Sequence, residues 1–591
     1  MKNLEVLRID DIPLLYAQVK ELGIQEIIDK EIKPHGNWSG ISLGNLISLW
    51  LCYLLSESDH RLGSVEGWAS ENINLLRALS GQEAIQSKDF TDDRLEQSLD
   101  YLSKDSNWFG VSSQLNGRSL AVYNLDSLNT VRLDAAPMQG HHEVKEKGLF
   151  QYGYGKHHDS RLGMLKIMLA CVDNEVNSFG YPLAHLTVSG EKADDGLYIP
   201  LIKECEQTFS LTGNEDKKLY VGDGKMGSKE NRAYIVESGN DYLVPLSKIQ
   251  FPAEQRNKQI SKSDTSEYKQ VYKKDKLGKK ILVAQGFEEE VKVIYKDKQD
   301  KLQEWSERRI FVLSTAYAAA QQKGVEKRLL KAEEELKGLL VSKQGKQTPK
   351  TKQELEQTIE KILGNKAGKL EDLLSVEIEE QVEEKKIRAY KDRPARTEQF
   401  STFELKIRRD EKAIEAYKTT LGWQVYGTTA PKQSMDFEKC VWKYRYQNRV
   451  ERRFDDLRNK VVPLVPIFVT KDNRVEALIN LLMICLKICA VMEYKVSKQL
   501  QEKKEELDKV YEGNPKRSTA TPTAKRMLKS FRGISLVTFD SQTEAPPNIE
   551  MTELKKVQLK IIELLGFDRR IYTDLIKQIK LFFSDKKISE T

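Results

Sequence analysis

Residues 218–228 read KLYVGDGKMGS: a short apolar run closes on Asp223, and a Gly-rich turn leads from that acid into a helical segment. A strand that ends in such a turn is a unit of an open α/β sheet, and ligands bind along the rim formed by the carboxyl ends of its strands. Strand patterns lie on either side, at Thr130–Ala135, Leu165–Asp173, Phe179–Ser189, Leu219–Gly222 and Tyr242–Leu246, and helical segments at about 194–208 and 228–238 separate the later ones. Three neighbouring strands, a helix, a strand, a helix and a further strand outline a mixed sheet covered by helices.

That order suits a ribonuclease-H-like core, so the expected fold class is α/β. Residues 1–115 precede it, with apolar residues at helical spacing in LLYAQVKELGIQEIID and GNLISLWLCYLLSES. They form a helical N-terminal domain, read plainly as a packing module and functionally as a DNA-end reader. The core's first part spans 116–250, and residues 251–430 differ in kind. A basic, strand-rich stretch (KKILVAQG, EEVKVIYKD, RRIFVLSTAY) gives way to charged helix over Glu326–Leu340 and Gln353–Lys386, divided by the loop SKQGKQTPKTK, and strands return at FELKIRRD and GWQVYGTT. This is an insertion of strands and charged helices within the core. The core resumes over 431–495, where Ser434 is the expected N-cap of a helix running through CVWKYRYQNRVERRFDDLR. Residues 496–591 alternate basic helix with loops, a C-terminal helical region suited to dimerisation or DNA contact.

Composition sets bounds. The 95 Lys+Arg against 89 Asp+Glu leave a net charge of +6, too small to establish a nucleic-acid partner. Six scattered cysteines without a CxxC pair argue against a zinc ribbon or a disulfide framework and fit a reducing cytoplasm. The N-terminus lacks the basic start and long apolar run of a secretion signal. The apolar stretches Leu43–Leu55 and Ala477–Met492 read as buried helices, the first too short to span a bilayer and the second interrupted by Asn480 and Lys487, so no membrane association is expected.

Three carboxylates stand out. Asp134 closes the strand TVRLD, Asp223 closes KLYVGD, and Glu451 lies inside a helix on a face shared with Tyr444, Gln447, Phe454 and Arg458, at offsets of −7, −4, +3 and +7. Each alone has a plain reading: an Asp ending a strand is commonly a cap or turn former, and an acid among bases is commonly a solvated helix face. Together they form a set of oxygen donors that suits two Mg2+ ions, with Mn2+ as a substitute, spaced about 4 Å apart to activate the attacking oxygen and stabilise the leaving oxygen of a phosphodiester displacement. Lys443, Arg445, Arg449, Arg452, Arg453, Arg458 and Lys460 supply the positive charge that a phosphate backbone needs beside Glu451.

At this point the chain resembles the DDE transposases of bacterial insertion sequences that carry a Y-(2)-R-(3)-E-(6)-K signature. The segment here reads Tyr444-(2)-Gln447-(3)-Glu451-(6)-Arg458, with Gln447 in place of the arginine and Arg458 in place of the lysine. Arg449 is a candidate for the phosphate contact of the missing arginine. VRLDAAP resembles the first-aspartate strand, FQYGYGKHHDSRLGMLKIMLACVD the following Gly-Tyr-x-Lys stretch and second strand, FGYPLAHLTVSGEKAD the third strand, and YVGDGKMGSKENRAYI the second-aspartate motif; the likeness covers roughly residues 117–490. It implies Asp134, Asp223 and Glu451 as catalytic metal ligands. It also implies a cytoplasmic, nucleoid-associated homodimer acting on double-stranded DNA, at terminal inverted repeats and at a target. Water attacks at an element end to release a 3′-hydroxyl, which then attacks target DNA. Tyr444, Gln447, Arg449, Arg458 and Lys156 are the implied DNA contacts, and Trp305 and Trp423 are candidates for stacking on a flipped base. The pairs His141-His142 and His157-His158 read as loop contacts to phosphate. Two alternatives stand beside this: a ribonuclease-H-like nuclease without strand transfer, and an inactive DNA-binding relic or regulator.

Overall fold

The computed structural model describes residues 4–589 apart from 123–128, 154–158, 174–175, 178–179, 276, 342–347, 350, 365–369, 389–393, 395 and 540–547. Its strands in chain order are β1 (Leu4–Arg8), β2 (Thr130–Gly140), β3 (Gly163–Val172), β4 (Tyr181–Ser189), β5 (Leu219–Val221), β6 (Asp241–Pro245), β7 (Lys269–Lys274), β8 (Lys280–Lys296), β9 (Leu302–Ser314), β10 (Leu374–Ile387), β11 (Arg396–Arg409), β12 (Trp423–Thr428), β13 (Ser535–Phe539) and β14 (Asn548–Met551). Two compact units result. The first comprises Met1–Val244, Val293–Trp305 and Trp442–Thr591, and the second Pro245–Lys292 and Ser306–Val441.

In the first unit the strand order is β4-β3-β2-β5-β6. β2 pairs antiparallel with β3, and β3 with β4, whereas β2–β5 and β5–β6 are parallel. β3 reads GMLKIMLACV and is buried almost throughout, the continuous apolar run of a strand covered on both faces. Parallel pairs need crossovers, and these are helices: Tyr198–Leu211 precedes β5, and Lys229–Glu237, capped by the Ser228 hydroxyl accepting from the Asn231 amide at 3.2 Å, links β5 to β6. This is the mixed α/β sheet flanked by helices that the sequence implied, with ribonuclease-H-like strand order.

The helix Asp472–Lys503 is long and apolar enough to cross a membrane, yet 94% of its most apolar window is buried inside the protein. Helices Leu43–Glu57, Asp92–Leu102 and Lys556–Leu564 and strand β4 pack on it. At its centre Lys487 is fully enclosed and donates to Asn116 Oδ1 (2.5 Å), Pro182 O (2.7 Å) and Leu183 O (3.1 Å). Burial pulls this ammonium down from 10.5 to about 7, against the smaller opposing influence of Cys171, Cys205 and Glu204. For this group the unfolded chain binds the extra proton between pH 7 and 10.5, so its contribution to stability rises with pH across that window. Urea melts of wild type and Lys487→Met, compared from pH 7 to about 8.5 and so below the thiol range, should show wild-type stability rising relative to the variant's by at most about 1.4 kcal/mol per pH unit for one proton.

Residues near the two chain ends meet. β1 pairs with β13, and β13 with β14, in an antiparallel sheet that adds strands to termini expected to be helical.

In the second unit the strand order is β12-β9-β8-β7. Beside it stands the two-stranded hairpin β10–β11. The helix expected over Gln353–Lys386 ends at Leu363, and Leu374–Ile387 is a strand. Glu and Lys favour helix locally, but Leu374, Val376 and Ile378 alternate and bring one face of β10, with Phe403, Leu405 and Ile407 of β11, onto Val325, Leu329, Leu336, Leu355 and Ile359 of two helices. On the other face Glu379 pairs with Lys406, its diagonal neighbour across the ladder. Cross-strand packing outweighs intrinsic propensity here.

Candidate active site

Parallel pairing of β2 with β5 runs from Thr130–Leu219 to Arg132–Val221. Two residues beyond that last pair each chain reaches an acid, Asp134 on one and Asp223 on the other. Adjacent strands are about 4.8 Å apart, so the register alone sets both carboxylates side by side where β5 ends; Asp134 does not close its strand as expected, since β2 runs on to Gly140. Asp223 is held by its surroundings: Oδ1 accepts from the Tyr198 hydroxyl at 2.6 Å and from the Lys225 and Met226 amides at 2.9 and 3.3 Å. Asp134 Oδ1, among the described residues, accepts from its neighbour, the Ala135 amide, at 2.9 Å.

Glu451 arrives on the helix Asn448–Asp455 and is exposed. That helix is not one rod with the segment before it. The expected start at Ser434 falls instead at Phe437, where Asp436 caps by accepting from the Lys439 amide at 2.8 Å, and the helix stops at Arg445. A second helix begins at Asn448 and ends in a π-helical turn, Asp456–Lys460. The face shared by Glu451 and Tyr444 thus spans a break.

What places Glu451 is a set of ties to β2. The Gln447 amide donates to Leu133 O (2.8 Å), the residue before Asp134; Arg132 Nη1 donates to Lys443 O (2.8 Å); and Lys443 Nζ donates to Thr130 Oγ1 (3.0 Å). Beneath them lies a buried carboxylate, Asp173, which accepts from Arg132 Nε (3.0 Å) and Nη2 (2.7 Å) and pairs with Arg449. One acid therefore joins the Asp134 strand to the Glu451 helix. Further along, fully buried Arg453 donates to Gly180 O (2.8 Å) and to Glu493 (2.8 Å).

Electrostatics put the three acids in one neighbourhood. Burial, then the charges of Asp223 and Glu451, push the Asp134 carboxyl up to about 7, against the Ala135 amide and the Arg458 guanidinium. Tyr444 is raised to about 12 by burial and then by Asp223, Glu451 and Asp134. Among the described residues no three His, Cys, Asp or Glu side chains are gathered tightly enough to be a formed metal site. The donor set nevertheless fits a hard divalent cation: the candidate ligands are all carboxylate oxygen, and such an ion offsets the cost of burial, and then the neighbouring negative charge, that holds Asp134 protonated toward neutral pH.

The other expected contacts divide. Tyr444 and Arg458 stand within the field of the acids. Gln447 and Arg449 are buried and engaged internally, Gln447 on Leu133 and Arg449 on Asp173 and over the Tyr446 ring at 4.4 Å, so neither is presented to a phosphate backbone. Trp305 is 8% exposed and donates to the Tyr242 hydroxyl at 2.9 Å; Trp423, 5% exposed, packs with Phe251, Phe311 and Val425. Neither ring offers an open face to a flipped base, which argues against the stacking role. Lys156, His157 and His158 lie outside the described residues. His142 stacks on Phe150 at 3.9 Å, with Nε2 against Val469 O at 2.7 Å, a packing role. Sequence reasoning missed Asp173, Arg132 and Tyr198 as site-building residues. The only local sign was a charged residue in or ending an otherwise apolar strand.

Comparison with known proteins bears on this geometry. A family model described as "Transposase DDE domain" matches residues 129–488, more than half of the chain, and spans all three acids and their supports. A second, "Domain of unknown function (DUF4277)", matches residues 4–108. No curated protein matches the chain. The chain belongs to the DDE transposase family.

Proposed function

We propose that this transposase cleaves DNA at the ends of its own element and joins the freed 3′-hydroxyls to target DNA, with Asp134, Asp223 and Glu451 as the carboxylates of one phosphoryl-transfer centre. The observation that carries the reading is the β2–β5 register, which sets Asp134, inside β2, beside Asp223, just past the end of β5, while a helix tied to β2 carries the third acid. Mg2+, or Mn2+ in its place, held by these carboxylates would supply the positive charge that activates the attacking oxygen and stabilises the leaving one. The chain's own residues do the rest. Tyr198 and two backbone amides hold the Asp223 carboxylate through Oδ1. Arg458 brings a positive charge to the rim and Tyr444 a hydroxyl that stays protonated, both suited to a phosphate. Two ends joined to one target call for two such centres, hence a homodimer on terminal inverted repeats.

The test is a strand-transfer assay with a pre-cut element end bearing a free 3′-hydroxyl, a second duplex and Mg2+. Products covalently joined to the second duplex are expected. Hydrolysis of the duplex with no joined product would instead make the protein a nuclease. Within this scheme Tyr198→Phe, which removes one hydrogen bond to Asp223, should slow cleavage by roughly tenfold and raise the Mg2+ concentration needed for half-maximal rate. An unchanged Mg2+ requirement would show that Tyr198 does not orient Asp223.

A further inference from the structure

The second unit carries a concentration of positive charge on one hairpin. Between Lys269 and Ile281 the sequence KQVYKKDKLGKKI holds six lysines and one aspartate, an excess of +5 in a chain whose net charge is +6. The segment is the β7–β8 hairpin. β7 is the last strand of its sheet, and Lys273, Lys274, Lys279 and Lys280 are all exposed. The only acid, Asp275, is spent on the turn: its Oδ1 accepts from the Leu277 and Lys279 amides at 2.9 Å each, and Gly278 takes the left-handed φ of +79° that closes it.

Two features separate this hairpin from an ordinary lysine-guarded strand edge. First, its register sets Lys274 directly opposite Lys280. Like charges facing each other across a ladder destabilise it, and an anion between them would reverse the sign. Second, none of those four lysines is ion-paired among the described residues. The lysines of the adjoining cleft of about 500 Å3 differ: Lys269 and Lys432 are both bonded to Glu288, whose carboxyl their hydrogen bonds and that of Arg308 hold down at about 2. The cleft lysines Lys269 and Lys432 are thus compensated, and the four on the hairpin are not. Beside it Tyr272, Leu277 and Ile281 are exposed, Leu277 by 93%.

We propose that the β7–β8 hairpin is a contact surface for the phosphate backbone of duplex DNA, on the unit that does not contain the carboxylates. The partner's identity rests on the transposase reading; the anionic chemistry rests on the hairpin itself. Such a surface grips any sequence and is felt through salt.

The experiment uses the full chain and a plain duplex without element ends, with binding followed by fluorescence anisotropy from low to high NaCl. K273A/K274A/K279A/K280A should make the slope of log affinity against log salt shallower by about 3 to 4, since each lost phosphate contact is worth about 0.9. Its melting temperature should not fall, because a repulsive pair has been removed. A control of equal charge, K323A/K327A/K352A/K361A on exposed helical positions of the same unit, should leave the slope within about 0.5 of wild type. A hairpin variant with the wild-type slope, or a control that loses as much as the hairpin variant, would overturn the proposal. A wild-type chain that fails to bind duplex at any salt would overturn it together with the DNA-processing reading, whereas wild-type binding with an unchanged hairpin slope would remove this proposal alone.

Discussion

Glu451→Gln should leave the chain folded and bound to DNA while lowering strand cleavage on the order of 1,000-fold, the scale expected when a group that stabilises transition-state charge is removed. The fold is expected to survive because Glu451 is exposed and its helix is fixed elsewhere, through Gln447 on Leu133 O and Arg453 on Gly180 O and Glu493. Glutamine keeps the shape and removes only the charge. Asp134→Asn and Asp223→Asn should behave alike, since the register makes the two aspartates equivalent in position if not in environment. Cleavage of an end-bearing duplex measured beside a gel-shift on the same duplex separates the outcomes. A variant that cuts within tenfold of wild type would remove Glu451 from the chemistry.

The largest stability effect should come from Asp173→Ala. The substitution strands two buried guanidiniums, Arg132 and Arg449, without their carboxylate. Burial already pulls the Arg132 guanidinium down, and Asp173 is the first influence that opposes it. Breaking a buried pair from one side costs about 3–5 kcal/mol because a charge is left uncompensated. Urea unfolding should show a loss of that order. Because Arg132 lies two residues before Asp134 and Arg449 two before Glu451, a folded remnant should also need more Mg2+ for cleavage. A loss below about 1 kcal/mol would mean that water or other groups stabilise the arginines, and that Asp173 does not join strand to helix.

The parts of this site that sequence could reveal are those written locally. An apolar run closed by an acid and a Gly-rich turn is visible in one stretch, and so β5 and its end at Asp223 were legible, whereas the reading that closed β2 at Asp134 fell short of Gly140. Pairing is not local. Arg132 and Asp173 are 41 residues apart and Arg449 and Asp173 276, so the carboxylate under the site looked like any acid at a strand end. β1 finds its partner at Ser535–Phe539, beyond any local window. β10 shows the opposite failure: its Glu-rich text favours helix, and only the apolar alternation of Leu374, Val376 and Ile378 against β11 marks a strand. The break at Tyr446–Gln447 carries no Pro or Gly. Gln447 itself, the departure from the signature, acquires a physical role that spacing could not supply, since its amide ends on the carbonyl beside Asp134.

The central claim is that Asp134, Asp223 and Glu451 act as one oxygen-donor centre for a divalent cation. Titration of the full chain with Mn2+, in the presence of an element-end duplex and followed by electron paramagnetic resonance, tests it most directly. Saturable binding by the wild type that is lost in Asp134→Asn/Asp223→Asn and weakened in Glu451→Gln is the predicted result; equal binding by all three proteins would contradict it.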